Sequence, residues 1–228
     1  MNNTYRLSVP TPSGSADTPI VYVVDGDPSV RADLELLTRA AGWRPRTAES
    51  AEAFLAYPRA WSPSCLLSDL QLPGLSGLEL QKLVADRPEM PVIFVSSHAD
   101  IQATVQAMKA GAFEFLTKPV GRNVLAHAIE RAIARSQSAL QHLAEIRLLS
   151  QRYESLSRRE REVMNLVVSG RLNKQVGGEL GISEITVKAH RGKMMRKMHA
   201  DSFAQLIKMF ISLRGALPAS AVILEGLT

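Results

Sequence analysis

Cysteine is almost missing from this 228-residue chain, where Cys65 stands alone. An intramolecular disulfide is therefore excluded, no Cys/His grouping has zinc-ligand spacing, and a reducing, cytoplasmic setting is the default expectation. Long apolar runs are missing too. None approaches the roughly 18 residues that cross a bilayer, so neither a transmembrane helix nor a membrane partner is expected. Residues 1–19 lack the apolar segment of a signal peptide and are rich in Ser, Thr, Pro and Asn, which reads as a flexible leader. A phosphate-binding P-loop is also absent, which disfavours nucleotide hydrolysis.

What remains is ordinary for a globular protein: 46% hydrophobic and 21% charged residues, with a mean hydropathy of −0.01. The net charge of +5 is unevenly placed. Residues 20–121 hold 9 basic and 12 acidic side chains, whereas residues 151–228 hold 13 basic and 7 acidic ones. A mildly acidic half followed by a basic half suggests that only the second meets a polyanion; a solvated basic surface is the alternative.

Within 20–121, short apolar runs at Ile20–Val24, Cys65–Ser68, Val92–Val95 and Phe113–Leu116, with a weaker one at Trp43–Thr47, predict strands. Amphipathic stretches at Ser29–Ala41, Ser50–Ala56, Gly77–Ala85 and Ile101–Ala110 predict the helices between them. Strand–helix alternation implies a parallel sheet covered on both faces, and the near-continuous apolarity of Val92-Ile93-Phe94-Val95 fits a doubly buried strand. The fold class is α/β, a five-stranded doubly wound parallel sheet. From Arg122 the apolar spacing becomes that of one long helix, a linker over 122–152. Ser136, Ala139 and Ser150 interrupt the seam, which favours a linker over a coiled coil. Beyond it only short helices are predicted: Arg158–Ser169 behind a Ser157…Glu160 capping box, Lys174–Leu180, a helix capped by Ser183 and ending near Met198, and Ser202–Leu213. Residues 153–214 form this all-α four-helix domain, and the tail 215–228 is uninformative.

The predicted strand ends carry the chemistry. The first ends in Asp25-Gly26-Asp27, the third in Ser68-Asp69, the fourth in Ser96-Ser97, and the fifth leads to Lys118-Pro119. In a doubly wound sheet such ends converge on one crevice. Clustered carboxylates there suit a divalent oxygen-liganded cation such as Mg²⁺, and lysine offsets the charge of a phosphoryl group attacked by an aspartate. Each residue alone has a structural reading: Asp27 before Pro28 is also a good helix N-cap, and Lys118 a surface lysine.

In the basic half, Gly177, Gly181 and Val187 have helix-turn-helix spacing. A small residue permits close crossing, glycine makes the turn, and an apolar residue packs back. Val176, Leu180, Ile182 and Ile185 are expected to complete the small core. The second helix carries Lys188, His190, Arg191, Lys193, Arg196 and Lys197, which suits salt-dependent phosphate attraction, while residues near its start reach base edges.

Residues 20–121 resemble a response-regulator receiver domain of two-component signalling, and residues 153–214 a LuxR-type helix-turn-helix. The pairing is similar to the FixJ/NarL family, nearest its FixJ and StyR-like members. The resemblance rests on Val-Val-Asp-Gly-Asp-Pro-Ser-Val-Arg (23–31), Ser-Asp-Leu-Gln-Leu-Pro-Gly-Leu-Ser-Gly (68–77), Ala-Met-Lys-Ala-Gly-Ala (107–112) and Leu-Thr-Lys-Pro (116–119). In the second half it rests on residues 156–163, Asn173-Lys174, and Ile182-Ser183 with Thr186–His190.

The resemblance implies a flavodoxin-like receiver fold in which Asp69 is the phosphoacceptor for a sensor histidine kinase, Lys118 the phosphate-binding lysine, Ser96 the mobile hydroxyl and Phe115 the switch aromatic. It implies Mg²⁺ held by Asp25, Asp69 and the Gln71 backbone carbonyl, with Asp27 as a further ligand. Base contacts are implied for Lys188 and Ala189, and backbone contacts for Lys174, Thr186 and Arg191, with Lys193 and Arg196 adding to the DNA surface. RNA polymerase and a homodimer formed on activation, through Ser202–Leu213, are further implied partners. Relatives place an acid where this chain has Gly26, which predicts weakened metal binding. They often place a basic or polar residue where it has Gly192. The leading expectation is a DNA-binding transcriptional response regulator, and the alternative is a DNA-binding regulator with a degenerate, phosphorylation-independent receiver. A phosphohydrolase needs a second carboxylate two residues after the nucleophile; Gln71 stands there, so no enzyme is expected.

Overall fold

The computed structural model describes residues 18–97 and 100–216, which separate into two compact units divided between Gln141 and His142. All but residues 18–19 of the predicted leader, and all but 215–216 of the predicted tail, lie outside the described residues.

In the first unit, strands β1 (Ile20–Val24), β2 (Arg44–Ala48), β3 (Ser64–Ser68), β4 (Val92–Ser96) and β5 (Glu114–Thr117) alternate with helices α1 (Pro28–Ala40), α2 (Ala51–Leu55), α3 (Gly77–Leu83), α4 (Ile101–Lys109) and α5 (Arg122–Glu154). The strands form one parallel sheet in the order β2-β1-β3-β4-β5. The two-residue period of a strand divides its apolar run between two cores. Ile20, Tyr22 and Val24 join Phe54 of α2, Leu80 of α3 and Ala107 of α4 on one face. Val21 and Val23 join Leu34 and Leu37 of α1 with Leu125, Ile129 and Ile133 of α5 on the other. This double burial is why β1, β3 and β4 read as near-continuous apolar runs.

The strand bounds at β2 and β5 lie one residue later than predicted. Trp43 and Phe113, apolar and packed on the α1/α5 face, stand just before these strands, and the Phe113 N–H still donates to the Val92 carbonyl at 2.7 Å. Helix α3 stops two residues short of its predicted end, with Val84 as its C-cap. Its first residue is Gly77 because the helix starts against the backbone of the β3 exit. A Cβ there would stand 2.1 Å from the Asp69 carbonyl oxygen.

Ser136, which breaks the apolar seam of α5 in the sequence, has a job in the fold. It is fully buried, accepts the Ser64 N–H at 2.8 Å and donates to the Glu89 carbonyl. Helix α5 is thus tied to the segments that open β3 and β4.

In the second unit the end of α5 is followed by α6 (Arg158–Val168), α7 (Asn173–Leu180), α8 (Glu184–Met198) and α9 (Phe203–Ala216), the last running past its predicted end at Leu213. Leu149 and Tyr153 of α5 pack on a core of Leu156, Val163, Met164, Val176, Val187, Met194, Met198 and Leu206. The Ser157–Glu160 capping box forms as predicted. Glu160 is only 3% exposed and accepts Lys197 Nζ at 2.6 Å. Burial pushes its carboxyl up, but the Lys197 and Ser157 hydrogen bonds outweigh this and hold it below the usual range.

Gly181 ends α7 in the left-handed region at φ 66°, and Gly177 lets the helix pair close, because a Cβ there would lie 2.7 Å from the Ile182 carbonyl oxygen. Val187 is fully buried, and Leu180 and Ile182 pack partly against the core. The expectation for Ile185 is corrected: it is 80% exposed. Two residues before Val187, it falls about 200° around the helix from the core stripe.

Adjacent glycines in α7 have opposite expected responses. Gly177→Ala drives a methyl into backbone and should lower stability by roughly 1–3 kcal/mol. Gly178→Ala meets nothing within 4 Å, and should raise it by about 0.5–1 kcal/mol through helix propensity. Urea melts of the full chain report both, and shifts in the same direction contradict this packing.

Candidate carboxylate site and nucleic-acid interface

The strand order reverses between β1 and β3, and the two aspartates that follow these strands face one another across that switch point. Lys118, carried just past β5, places its ammonium 2.6 Å from Asp25 Oδ2 and 2.7 Å from Asp69 Oδ2. Ser96, the last residue of β4, donates Oγ–H to Asp69 Oδ1 at 2.6 Å, and the Gln71 N–H reaches the same oxygen at 3.2 Å. Four predicted residues therefore meet: Asp25, Asp69, Ser96 and Lys118. Asp25 and Ser96 are buried, whereas Asp69 keeps an edge toward solvent.

Burial disfavours the charged form of Asp69, but hydrogen bonds from Lys118 and Ser96 prevail and hold its carboxyl below the usual range. Burial likewise opposes the charge on Lys118, yet its hydrogen bonds to Asp25 and Asp69 raise its pKa above the ordinary lysine value. The site thus keeps a charged carboxylate beside a charged ammonium at neutral pH.

Asp27 stands apart. Its carboxylate caps α1, accepting Ser29 N–H at 2.8 Å and Ser29 Oγ–H at 2.7 Å, with Pro28 at the first helical position. At Gly26 a Cβ would meet only Pro73, at 3.3 Å from its Cδ, so a side chain fits with a small shift of that ring. Among the described residues no group of three or more His, Cys, Asp or Glu converges. Phe115 is half-buried on β5 with its ring 6.0 Å from that of Phe94. Arg31 has no predicted role, yet its guanidinium donates to the Asp25 carbonyl at 2.6 Å and fixes the β1 exit. Its only trace in the sequence is its place one turn into the helix that Asp27 opens.

In the second unit, Ser183 caps α8 by accepting the Thr186 N–H at 3.1 Å, and the Thr186 hydroxyl pairs with the Ser183 hydroxyl at 2.8 Å. Lys188, Ala189, Lys193 and Arg196 are exposed on α8, and Lys174 is exposed at the start of α7. Lys188 pairs with Glu184 at 3.1 Å across one turn. Two other basic residues of the helix have partners on neighbouring helices. Arg191 bonds Asn173 Oδ1 at 2.7 Å and lies over the Phe203 ring, and Lys197 is taken by Glu160. The sequence pattern could not separate these from the other cations of the helix, because their partners lie on other helices.

Comparison with known proteins agrees with this division. Residues 21–130 match the response regulator receiver domain, and residues 154–210 the luxR family of bacterial regulatory proteins. The chain is 40% identical over 199 residues to the response regulator protein TmoT of Ectopseudomonas mendocina, covering 87% of this chain and 90% of that one. It is 43% identical over 191 residues to nodulation protein W of Bradyrhizobium diazoefficiens, covering 83% and 84%. The solved structure of the response regulator StyR superposes with a TM-score of 0.72 at 42% identity, over 85% of this chain and 98% of that one.

The charge arrangement has a pH signature. Because the native pKa of Asp69 lies below its unfolded value of about 3.9, its contribution is full above that value and is lost as pH falls through the native one. Thermal melts of the wild type should therefore drop more steeply below about pH 4 than those of Asp69→Asn. Parallel acid limbs would contradict the assigned geometry.

Proposed function

Because this chain belongs to the two-component response regulators that join a receiver to a LuxR-type DNA-binding domain, we propose that Asp69 accepts a phosphoryl group from a sensor histidine kinase and that this controls transcription through α8. One Asp69 carboxylate oxygen attacks the phosphorus of the kinase phosphohistidine. The P–O bond forms as the P–N bond breaks, the bonding pair returns to the imidazole, and an aspartyl phosphate remains. The observation that carries this reading is Lys118 bridging Asp25 and Asp69 at 2.6 and 2.7 Å. An ammonium so placed can follow the incoming oxygens and offset their charge. Ser96 Oγ–H, already on Asp69 Oδ1, can turn to a phosphoryl oxygen, and Phe115 then repacks on β5.

The all-oxygen donor set of Asp25, Asp69 and the Gln71 carbonyl suits Mg²⁺, which takes one or two carboxylates and keeps several waters. When bound, the ion would neutralise the carboxylates and polarise the phosphoryl group. Asp27 is a poor further ligand because it is engaged in capping. Gly26 therefore leaves the site one carboxylate short, and the ion is held weakly.

On the DNA side, Lys188 and Ala189 face base edges, while Lys174, Thr186, Arg191, Lys193 and Arg196 serve the backbone or its electrostatic attraction. The regulator works without a catalytic activity of its own, in the cytoplasm, as a homodimer when active and in contact with RNA polymerase. Gly26 favours one second reading, a receiver that controls DNA binding without phosphorylation.

Incubation with acetyl phosphate and Mg²⁺ separates the two readings. Intact mass should show one added phosphoryl group on the wild type and none on Asp69→Ala; an unmodified wild type supports the second reading. Gly26→Asp should bind Mg²⁺ at least about tenfold more tightly than the wild type, and equal titrations would contradict the missing-ligand account.

A further inference from the structure

Helix α8 presents one exposed row in which successive members, Ile185, Ala189 and Gly192, carry no hydrogen-bonding side chain. Ile185 is the anomaly. It sits in the first turn, 80% exposed, while the core of this unit is completed by Val176, Val187, Met194 and Met198 without it. Gly192 is a second one: it lies inside a helix, where glycine costs stability relative to alanine, and a Cβ there would meet nothing within 4 Å. The fold asks for neither residue. Lys188, beside this row, is drawn toward Glu184 at 3.1 Å, which leaves the centre of the row apolar. Exposed cations accompany it on the same helix at Lys193 and Arg196, and Lys174 is exposed at the start of α7. This is the surface of a helix that enters a polyanion and meets an apolar group there.

The only strongly apolar group on base edges in the major groove is the C5-methyl of thymine. We propose that Ile185 is a specificity-determining residue that packs on a thymine methyl, with Ala189 and Gly192 allowing the helix to approach closely. The inference rests on the DNA-binding reading above. Its occupant is thymine-bearing duplex DNA, for which these exposed cations supply the charge complement. An exposed isoleucine that instead met a protein would leave thymine methyls without effect.

The test starts from duplexes selected out of a random pool by the full chain, with and without acetyl phosphate. Each thymine of the selected half-site is then replaced by deoxyuridine, which deletes only the methyl, and affinity is read by anisotropy at one salt concentration. At one or two positions the replacement should weaken wild-type binding about fourfold, the equivalent of one buried methyl. The same replacement should cost Ile185→Ala less than about twofold, because the methyl then has no partner. The variant should keep the wild-type melting temperature and salt slope, since the side chain is exposed and uncharged. Thymine methyls without effect on the wild type, equal losses in both proteins, or a half-site lacking thymine would each overturn the proposal while leaving DNA binding intact. Failure to enrich any duplex would instead remove the DNA-binding reading and this inference together.

Discussion

Two carboxylates at the end of a buried sheet repel each other, and this fold brings them together only because Lys118 lies between them. Asp25 leaves β1, Asp69 leaves β3, and these strands are neighbours where the strand order reverses. Removing the ammonium would strand two largely buried carboxylates without the cation that bridges them, which is costly. Much of the surrounding geometry serves this triplet. Arg31 holds the Asp25 carbonyl, Gly77 lets α3 begin against the Asp69 carbonyl, and Ser96 orients the Asp69 carboxylate. An arrangement that needs a bridging cation is also one that responds when charge is added to it. That is the physical basis for reading it as a switch.

The helical unit balances charge in a different way. Of the basic residues on α8, Arg191 and Lys197 are also engaged within the domain, by Asn173 and Phe203 and by Glu160. The cations left on the surface face solvent alongside Ile185 and Ala189. A helix can therefore be strongly basic in composition and still offer a recognition surface that is partly apolar.

The sheet was legible because short, near-continuous apolar runs between amphipathic stretches have few other interpretations, and β1, β3 and β4 bury both faces. The edges of elements were not. Trp43 and Phe113 look like strand residues because they are apolar, but each stands just before its strand and gains its burial on the α1/α5 face. The carboxylate site was legible as a set of strand-end residues, since topology alone brings such ends together. Arg31 and Ser136 were not, because each acts through hydrogen bonds to backbone groups that sequence does not locate. Ile185 was misplaced for a third reason: beside Val187 it reads as one apolar cluster, and only helical rotation separates the two.

The central claim is that charge arriving at Asp69 changes what α8 does. The direct measurement is the affinity of the full chain for its selected operator at fixed salt, with and without acetyl phosphate and Mg²⁺, in wild type and Asp69→Ala. The account predicts tighter binding on phosphorylation of the wild type and no change in the variant. Equal affinities in all four conditions, alongside a confirmed aspartyl phosphate on the wild type, would contradict it.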